Sequence, residues 1–317
     1  MGTAVPLAAL ELVSPVDCKV GQTCFIQQYM DHDPAPEARD YTCGAATYDD
    51  HDGTDFRLPT TREAEQGVAV LAAAAGTVTA RRDGMADVLR RTPDDLSRIS
   101  DRECGNGVVI DHGEGWETQY CHLKRGSLAV QAGDTVEAGQ KLGEIGYSGA
   151  AGFPHLHLTV RHDGEPVDPF LGADADPESC GAGAEPLWTS AALAELDYEP
   201  GRILDVGFAP GPIELQALET GTVQDSRPDR RSPAIVAWGW AINLQDGDEI
   251  TVVLGGPDGG ELARNSVTLD ASKAQHMLFA GTRPPATGWP AGLYTASFTV
   301  SRTGAPAMSE ERELVIE

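Results

Sequence analysis

The feature that most constrains the fold is the regular spacing of glycines among short apolar stretches. Between residues 126 and 149, glycines separate four apolar positions, Val130, Val136, Leu142 and Ile145. Because glycine adopts the positive φ values of tight turns without steric cost, such spacing is typical of short, sharply turned strands. Glycine makes up 36 of the 317 residues, about 11%, against a usual ~7%. The sequence therefore predicts an all-β chain with few helices.

Composition and pattern divide the chain into four predicted segments. They are a cystine-rich leader at residues 1–47, a β-sandwich or β-roll domain at 48–172, a linker with a short helix at 173–204, and an accessory, Ig-like β-sandwich at 205–317. The last segment has no cysteine and contains period-two strands, as at residues 234–241, a pattern typical of β-sandwiches. There Trp238 and Trp240 alternate onto one face, which favours a buried pair over a sugar-binding platform.

The charge balance excludes two classes of partner. Lys and Arg total 23 and Asp and Glu total 49, which gives a formal net charge of −26. A chain this acidic repels phosphate backbones, so we expect neither nucleic acid nor an anionic membrane surface as a partner. We also expect no transmembrane segment, because no apolar run approaches the ~18–20 residues needed to span a bilayer.

Six cysteines predict three disulfides. They are Cys18, Cys24, Cys43, Cys104, Cys121 and Cys180, and none forms the CxxC pair of a zinc ribbon. An even number outside metal-binding spacings is typical of an oxidising compartment, whereas reduced cysteines buried in a cytosolic enzyme are the alternative. Strand-like runs at residues 107–111 and 117–120 would place Cys104 opposite Cys121, so this is the one pairing that we predict.

The predicted disulfides imply a periplasmic or secreted protein. The first five residues lack the basic n-region of a secretory signal,. We therefore expect that a signal peptide has been removed from this sequence.

An alternation of histidine and leucine predicts a metal site on a strand. In the segment at residues 153–158, His155 and His157 must face one side of a strand while Leu156 and Leu158 face the core,. Two imidazoles directed into one space are typical of metal ligation. The other histidines, His32, His112, His162 and His276, lie in turn or polar contexts and are predicted to be surface residues.

Two further segments can complete this site. His51 and Asp55 are four residues apart with Gly53 between them, so both reach one ion if the segment bends. A hairpin brings in His122, which follows Tyr120 and Cys121. Two histidines and one carboxylate leave a fourth tetrahedral position for water, an arrangement typical of catalytic zinc.

Residues 45–170 resemble the lysostaphin/LytM-type zinc metallopeptidases, which cleave peptidoglycan cross-bridges. The resemblance is carried by the HxxxD of His51 and Asp55 and by residues 105–112, 118–123, 133–143 and 154–157. It implies a LytM-like metallopeptidase domain at residues 48–172 and Zn²⁺ bound by three ligands, His51, Asp55 and His157. It implies two catalytic histidines, His122 and His155, and two substrate-contacting residues, Asn106 and Tyr120. The chain departs from the family at Cys121, where alanine is common, and in an arginine-bearing insertion at residues 82–102.

The sequence thus predicts a zinc-dependent endopeptidase that hydrolyses peptide cross-links of bacterial peptidoglycan, with stem peptides and cross-bridges as its partners. The alternative is a non-catalytic wall-binding regulator or activator of wall hydrolases. Members of the family with that role have lost metal ligands, and this chain retains them. A lipoyl-like carrier is disfavoured because the turn at residues 133–135 has no lysine. The oligomeric state is left open.

Overall fold

The computed structural model describes residues 10–90, 92–173, 176, 179–183 and 185–317. The first five residues, on which the secretory-signal argument rests, lie outside this range. The chain forms two compact units, Met1–Tyr198 and Glu199–Glu317, and the predicted four-part division stays a prediction. None of the helices in the described residues combines the length and apolarity needed to cross a membrane.

Strands predominate in the first unit, as the all-β prediction requires. Its described strands are β1 Phe25–Gln28, β2 Thr54–Arg57, β3 Ala69–Leu71, β4 Gly76–Arg82, β5 Asn106–Gly113, β6 Trp116–Leu123, β7 Thr135–Val136, β8 Lys141–Glu144, β9 His155–His162 and β10 Glu165–Pro166. Its described helices are short: α1 Thr61–Gln66, α2 Pro93–Ser97 and α3 Ser190–Leu193. Each follows a threonine, Thr60, Thr92 or Thr189, whose side chain accepts a hydrogen bond from a backbone N–H of the first turn, as N-cap residues do.

One antiparallel sheet organises this unit. Its strand order is β1-β2-β9-β6-β5-β4-β7, with β10 beside β9, while β3 and β8 pair separately. Because successive strand residues face opposite sides of a sheet, Tyr120 of β6 and Leu156 and Leu158 of β9 lie together in the core. This confirms the predicted core side of residues 155–158 and leaves the two histidines on the other face.

The N-terminal segment contributes to the same core. Leu12 and Tyr29 are fully buried, and β1 extends the sheet by pairing with β2. The disulfides are Cys18–Cys24, Cys43–Cys180 and Cys104–Cys121. They pair all six cysteines, and the predicted Cys104–Cys121 bridge is confirmed.

The second unit is a two-sheet structure. Its strands are β11 Arg202–Ala209, β12 Ile235–Leu244, β13 Glu249–Gly255, β14 Glu261–Thr268, β15 Lys273–Thr282, β16 Gly292–Ser301 and β17 Met308–Ile316, and its helices are α4 Leu215–Glu219 and a 3₁₀ turn at Thr222–Asp225. One sheet has the order β11-β12-β15 and the other β14-β13-β16-β17. In constant-type immunoglobulin domains the fourth strand belongs to the sheet of the first, second and fifth strands, whereas here β14 pairs with β13.

The centre of β12 shows how this unit is packed. Trp238 and Trp240 are 2% and 1% exposed and share an apolar cluster with Leu218 of α4, which confirms the buried pair. Gly239 lies between them and faces the opposite way, so that a Cβ there would overlap the ring of Phe298. Phe298 belongs to the core between the two sheets. Glycine is therefore required where the two sheets approach each other.

We expect Gly239→Ala to lower the free energy of unfolding of the second unit by about 1–3 kcal/mol or more, because the added methyl group overpacks a closed core. Gly211→Ala is the matched control, since a Cβ there meets no atom within 4 Å. Calorimetry of the full chain measures both variants. An unchanged unfolding transition in Gly239→Ala would contradict the packing described here.

Candidate metal centre

Three side chains converge at the centre of the large sheet. The Nε2 atom of His51 lies 3.2 Å from Oδ1 of Asp55 and 3.2 Å from Nδ1 of His157, and that Nδ1 atom lies 2.9 Å from the same Oδ1. His51 and Asp55 are each 2% exposed. Two imidazole nitrogens and one carboxylate oxygen form a donor set that Zn²⁺ favours. The structure thus brings together the three residues that the sequence predicted as metal ligands.

Strand register brings two of these residues together. Asp55 of β2 is the direct partner of His157 of β9, and His157 pairs on its other side with Cys121 of β6. His51 precedes β2 and reaches the same point through a close turn. At Gly53 a Cβ would lie 2.8 Å from Nε2 of His157, so this turn requires glycine.

Hydrogen bonds fix which nitrogen of each ligand histidine faces the cluster. The His51 Nδ1–H group donates to the carbonyl of Tyr29 at 2.6 Å, which leaves Nε2 as the ligand atom. The Nε2 atom of His157 lies 3.2 Å from Oδ1 of Asp52 and 3.0 Å from Oγ1 of Thr159, which leaves Nδ1. Such outer contacts orient metal-binding histidines and determine their tautomer.

The two predicted catalytic histidines lie beside the cluster. The Nδ1 atom of His122 is 2.8 Å from the carbonyl of Ser148, and that of His155 is 2.9 Å from the carbonyl of Phe153. The two ring centroids are 4.5 Å apart, and Nε2 of His155 lies 3.6 Å from Oδ1 of Asp55. With each Nδ1–H donated to a carbonyl, the Nε2 atom of each ring is left to accept a proton.

A bulge turns His122 toward this side of the sheet. Along β6, strict alternation would place His122 on the core face with Tyr120. Instead, Cys121 and His122 together oppose Gly107 of β5, and His122 has a left-handed backbone with φ of 62°. This conformation costs a residue other than glycine on the order of 1–3 kcal/mol, and β-bulges often redirect side chains at functional sites.

Burial and neighbouring groups shift the pKa values of Asp55, His122, His155 and His157. Burial opposes ionisation of Asp55, but the surrounding histidines hold the pKa of its carboxyl well below the usual range. Burial lowers the pKa of the imidazoles of His122 and His155, so both rings are neutral near pH 7. Burial also disfavours the charged form of His157, yet its hydrogen bonds to Asp52 and Asp55 outweigh this and raise its pKa to about 9.

An open groove of about 280 Å³ gives access to the cluster. Its lining includes four residues that the sequence analysis did not single out, Tyr48, Asp52, Gln119 and Arg161. The ring of Tyr48 lies 4.5 Å from that of His51, and Arg161 donates to Gln119 at 2.8 Å. Alternation along β9 would have found Arg161, which shares a strand face with His155 and His157. A larger cavity of about 840 Å³ in the second unit has no histidine in its lining and offers no comparable chemistry.

The structure places the two predicted substrate-contacting residues elsewhere. Asn106 is fully buried, and its amide donates to the carbonyls of Met85 and Leu123 at 2.9 and 3.0 Å. Tyr120 is fully buried in the core, where its hydroxyl accepts the N–H of Ala73 at 2.8 Å. Both placements differ from the predicted contact with substrate. Alternation of side chains along β6 directs Tyr120 into the core, and the side-chain amide of Asn106 donates to backbone carbonyls.

Comparison with known proteins finds similarity within the first unit. Residues 49–169 match the peptidase family M23. A stretch of 130 residues is 34% identical to the DD-carboxypeptidase/endopeptidase Mpg of Neisseria meningitidis serogroup B and covers 40% of this chain and 24% of that protein. Another of 119 residues is 33% identical to the peptidoglycan DD-endopeptidase ShyA of Vibrio cholerae and covers 37% of this chain and 22% of that protein.

Solved structures are matched at lower overall similarity. A zinc containing peptidase from Vibrio cholerae aligns with 26% identity and a TM-score of 0.35 over 53% of this chain and 41% of that chain. The matched stretches span about a quarter of the length of the two curated relatives.

We expect Gly53→Ala to weaken Zn²⁺ binding by roughly 10–100-fold, the usual effect of disturbing the residues around a metal ligand. The added Cβ would displace His157 from its position opposite Asp55. Gly152→Ala serves as the control, because among the described residues the nearest atom to its Cβ would be 3.9 Å away. Titration of the metal-free protein with Zn²⁺ measures both affinities, and equal affinity in the two variants would contradict the close approach at residue 53.

We expect Tyr120→Phe to lower the free energy of unfolding by about 1–3 kcal/mol, because the buried N–H of Ala73 loses its acceptor. Its Zn²⁺ affinity should match that of the unchanged protein, since Tyr120 faces away from the cluster. Urea unfolding and metal titration test the two expectations. A variant as stable as the original would show that the hydroxyl does not serve this buried N–H.

Proposed function

We propose that this protein is a zinc-dependent endopeptidase that hydrolyses peptide cross-links of bacterial peptidoglycan, because residues 49–169 match the peptidase family M23. The observation that carries the proposal is the convergence of His51, Asp55 and His157 beside two further histidines that have their Nδ1 atoms bound to carbonyls. The substrate class is supported by the names of two relatives, the DD-carboxypeptidase/endopeptidase Mpg and the peptidoglycan DD-endopeptidase ShyA.

The donor set fits a catalytic zinc site. All three ligand atoms lie within 4.8 Å of one another, and three protein ligands leave one tetrahedral position for water or substrate. When bound, zinc lowers the pKa of its water toward ~7 and polarises the scissile carbonyl. The low pKa of Asp55 keeps its carboxylate ionised near neutral pH, as ligation requires.

His122 and His155 supply the proton transfers of amide hydrolysis. Both rings are neutral near pH 7 because burial lowers their pKa, so either can accept a proton from the attacking water. The leaving amine then needs a proton, which an imidazolium formed in the first step can donate. The carbonyls of Ser148 and Phe153 orient both rings throughout.

Charged groups around the groove orient this machinery. Asp52 receives the Nε2–H of His157 at 3.2 Å and also contacts a guanidinium nitrogen of Arg161 at 3.4 Å. Arg161 in turn donates to Gln119. This chain of contacts holds His157 with Nδ1 toward the ligand cluster while one edge of the groove stays polar for a peptide backbone.

We further propose that the protein acts in the periplasm or outside the cell, where its substrate lies. Three disulfides support this location, because such bonds persist in oxidising compartments.

We expect His122→Ala to reduce hydrolysis of purified sacculi by roughly 10²–10⁴-fold, the range for a lost proton-transfer group. Its zinc content should stay the same, whereas Asp55→Ala should lose the metal. His162→Ala is the matched control, because His162 ends β9 and stacks on Trp116 at 4.2 Å rather than joining the cluster. Mass spectrometry of the released muropeptides identifies the bond that is cleaved.

Two outcomes would separate an enzyme from a wall-binding regulator. Chelation of zinc should abolish muropeptide release and added Zn²⁺ should restore it. A metal-loaded protein that binds sacculi yet releases nothing would instead support the regulator.

A further inference from the structure

The wall of the groove beside His122 is a disulfide. Cys104 and Cys121 both line the groove together with His122, and they are bonded to each other. Cys121 directly precedes His122, whereas Cys104 lies at the end of the segment that joins β4 to β5. The disulfide therefore connects the strand that carries a proposed catalytic histidine to a loop outside the sheet.

The disulfide adjoins His122, which is the residue with the strained backbone. His122 has a φ of 62°, and the bulge lies at Cys121 and His122, opposite Gly107. A residue other than glycine stays in the left-handed region only where its surroundings hold it there. The question is which contacts hold residue 122.

Cys104 restrains the bulge in two ways. Its carbonyl accepts the backbone N–H of His122 at 2.8 Å, and its sulfur is bonded to that of Cys121. One residue thus holds both bulged positions, one by a covalent bond and the other by a hydrogen bond. Gly107 makes room for this contact, because a Cβ there would lie 2.8 Å from the sulfur of Cys104.

The far side of the ring has its own restraint. The Nδ1–H of His122 donates to the carbonyl of Ser148, and the hydroxyl of Ser148 donates to the carbonyl of Leu123 at 2.8 Å. This contact fixes the rotation of the ring, but it depends on the backbone of residue 122 being in place. The disulfide and the Cys104 carbonyl supply that backbone position on one side, and the N–H of Gly146 adds a hydrogen bond to the carbonyl of His122 at 3.1 Å.

We propose that the Cys104–Cys121 disulfide is a positioning element for His122, which holds the bulge so that the imidazole faces the metal cluster. The proposal rests on the hydrolytic role proposed above for His122. It assigns to Cys104 and Cys121 a function in turnover that is separate from their contribution to folding. The disulfide Cys18–Cys24 has no such role, since neither of its residues lines the groove.

The test compares Cys104→Ala/Cys121→Ala with the matched control Cys18→Ala/Cys24→Ala, both as full-length, zinc-loaded proteins. We expect the first to lose roughly 10–100-fold in kcat, as misplacement of a reacting group does, with unchanged zinc content and a KM close to that of the original protein. The control should keep its kcat within about twofold. Equal kcat in the two double variants would overturn the proposal.

A second comparison separates positioning from general destabilisation. If the disulfide acts through His122, its removal should cost nothing further in a His122→Ala background, because coupled residues are not additive. A further 10–100-fold loss in that background would show that the disulfide acts elsewhere. Should the double variant fail to fold, Gly107→Ala keeps both cysteines and places a Cβ 2.6 Å from the carbonyl oxygen of Tyr120 and 2.8 Å from the sulfur of Cys104, so that it disturbs the bulge itself. Full kcat in that variant would also reject the proposal.

Nitrogen NMR of the His122 ring tests the positioning of His122 separately from the proposed hydrolytic function. In the original protein we expect the ring to be held as the tautomer protonated at Nδ1, and in the disulfide variant we expect it to average between states. An original protein that shows the fixed ring but releases no muropeptides would reject the proposed function and not the positioning. An identical ring signal in both proteins would reject the positioning.

Discussion

The pairing of Asp55 with His157 across two neighbouring strands is the contact on which the rest of the site depends. Because β9 lies between β2 and β6, His157 meets a carboxylate on one side and Cys121 on the other. A shift of one residue in either register would turn the metal-facing side chains into the core and the leucines toward the groove. The apolar face of β9 prevents such a shift, since Leu156 and Leu158 are nearly fully buried.

Backbone carbonyls then determine what three of the four histidines at this site can do. Tyr29, Ser148 and Phe153 accept the Nδ1–H groups of three different rings, and none of these acceptors changes its charge with pH. One residue also joins the two proposed catalytic strands: the N–H of Gly146 donates to the carbonyl of His122 at 3.1 Å, and its carbonyl accepts the N–H of His155 at 3.1 Å. The imidazoles of His51, His122 and His155 are therefore oriented by main-chain groups, which move less than side chains.

The sequence predicted those parts of the site that follow from the alternation of side chains between the two faces of a strand. It placed His155 and His157 on one face and the leucines on the other, and the same rule applied to Arg161 would have added a groove residue. It predicted the Cys104–Cys121 bridge from the hairpin between them. Substrate contact by Asn106 and Tyr120 was implied by the family resemblance alone, and both residues are fully buried in the structure. Burial of the Asn106 amide depends on carbonyls of Met85 and Leu123, and no local pattern reveals contacts that distant along the chain.

His122 shows why the alternation of side chains along a strand is not sufficient to predict the whole site. Counting along β6 puts residue 122 on the same face as Tyr120, that is, in the core. The bulge inserts one extra residue, so that Cys121 and His122 both leave the core and Leu123 returns to it with no exposed surface. A left-handed histidine is unfavourable by itself, and a single hydrogen bond contributes only about 1 kcal/mol. The bulge therefore needs more than one restraint, and the segments around residues 104–107 and 146–148, which lie outside β2 and β9, supply them. The geometry of the site depends on these connecting segments as much as on the sheet that carries the proposed metal ligands.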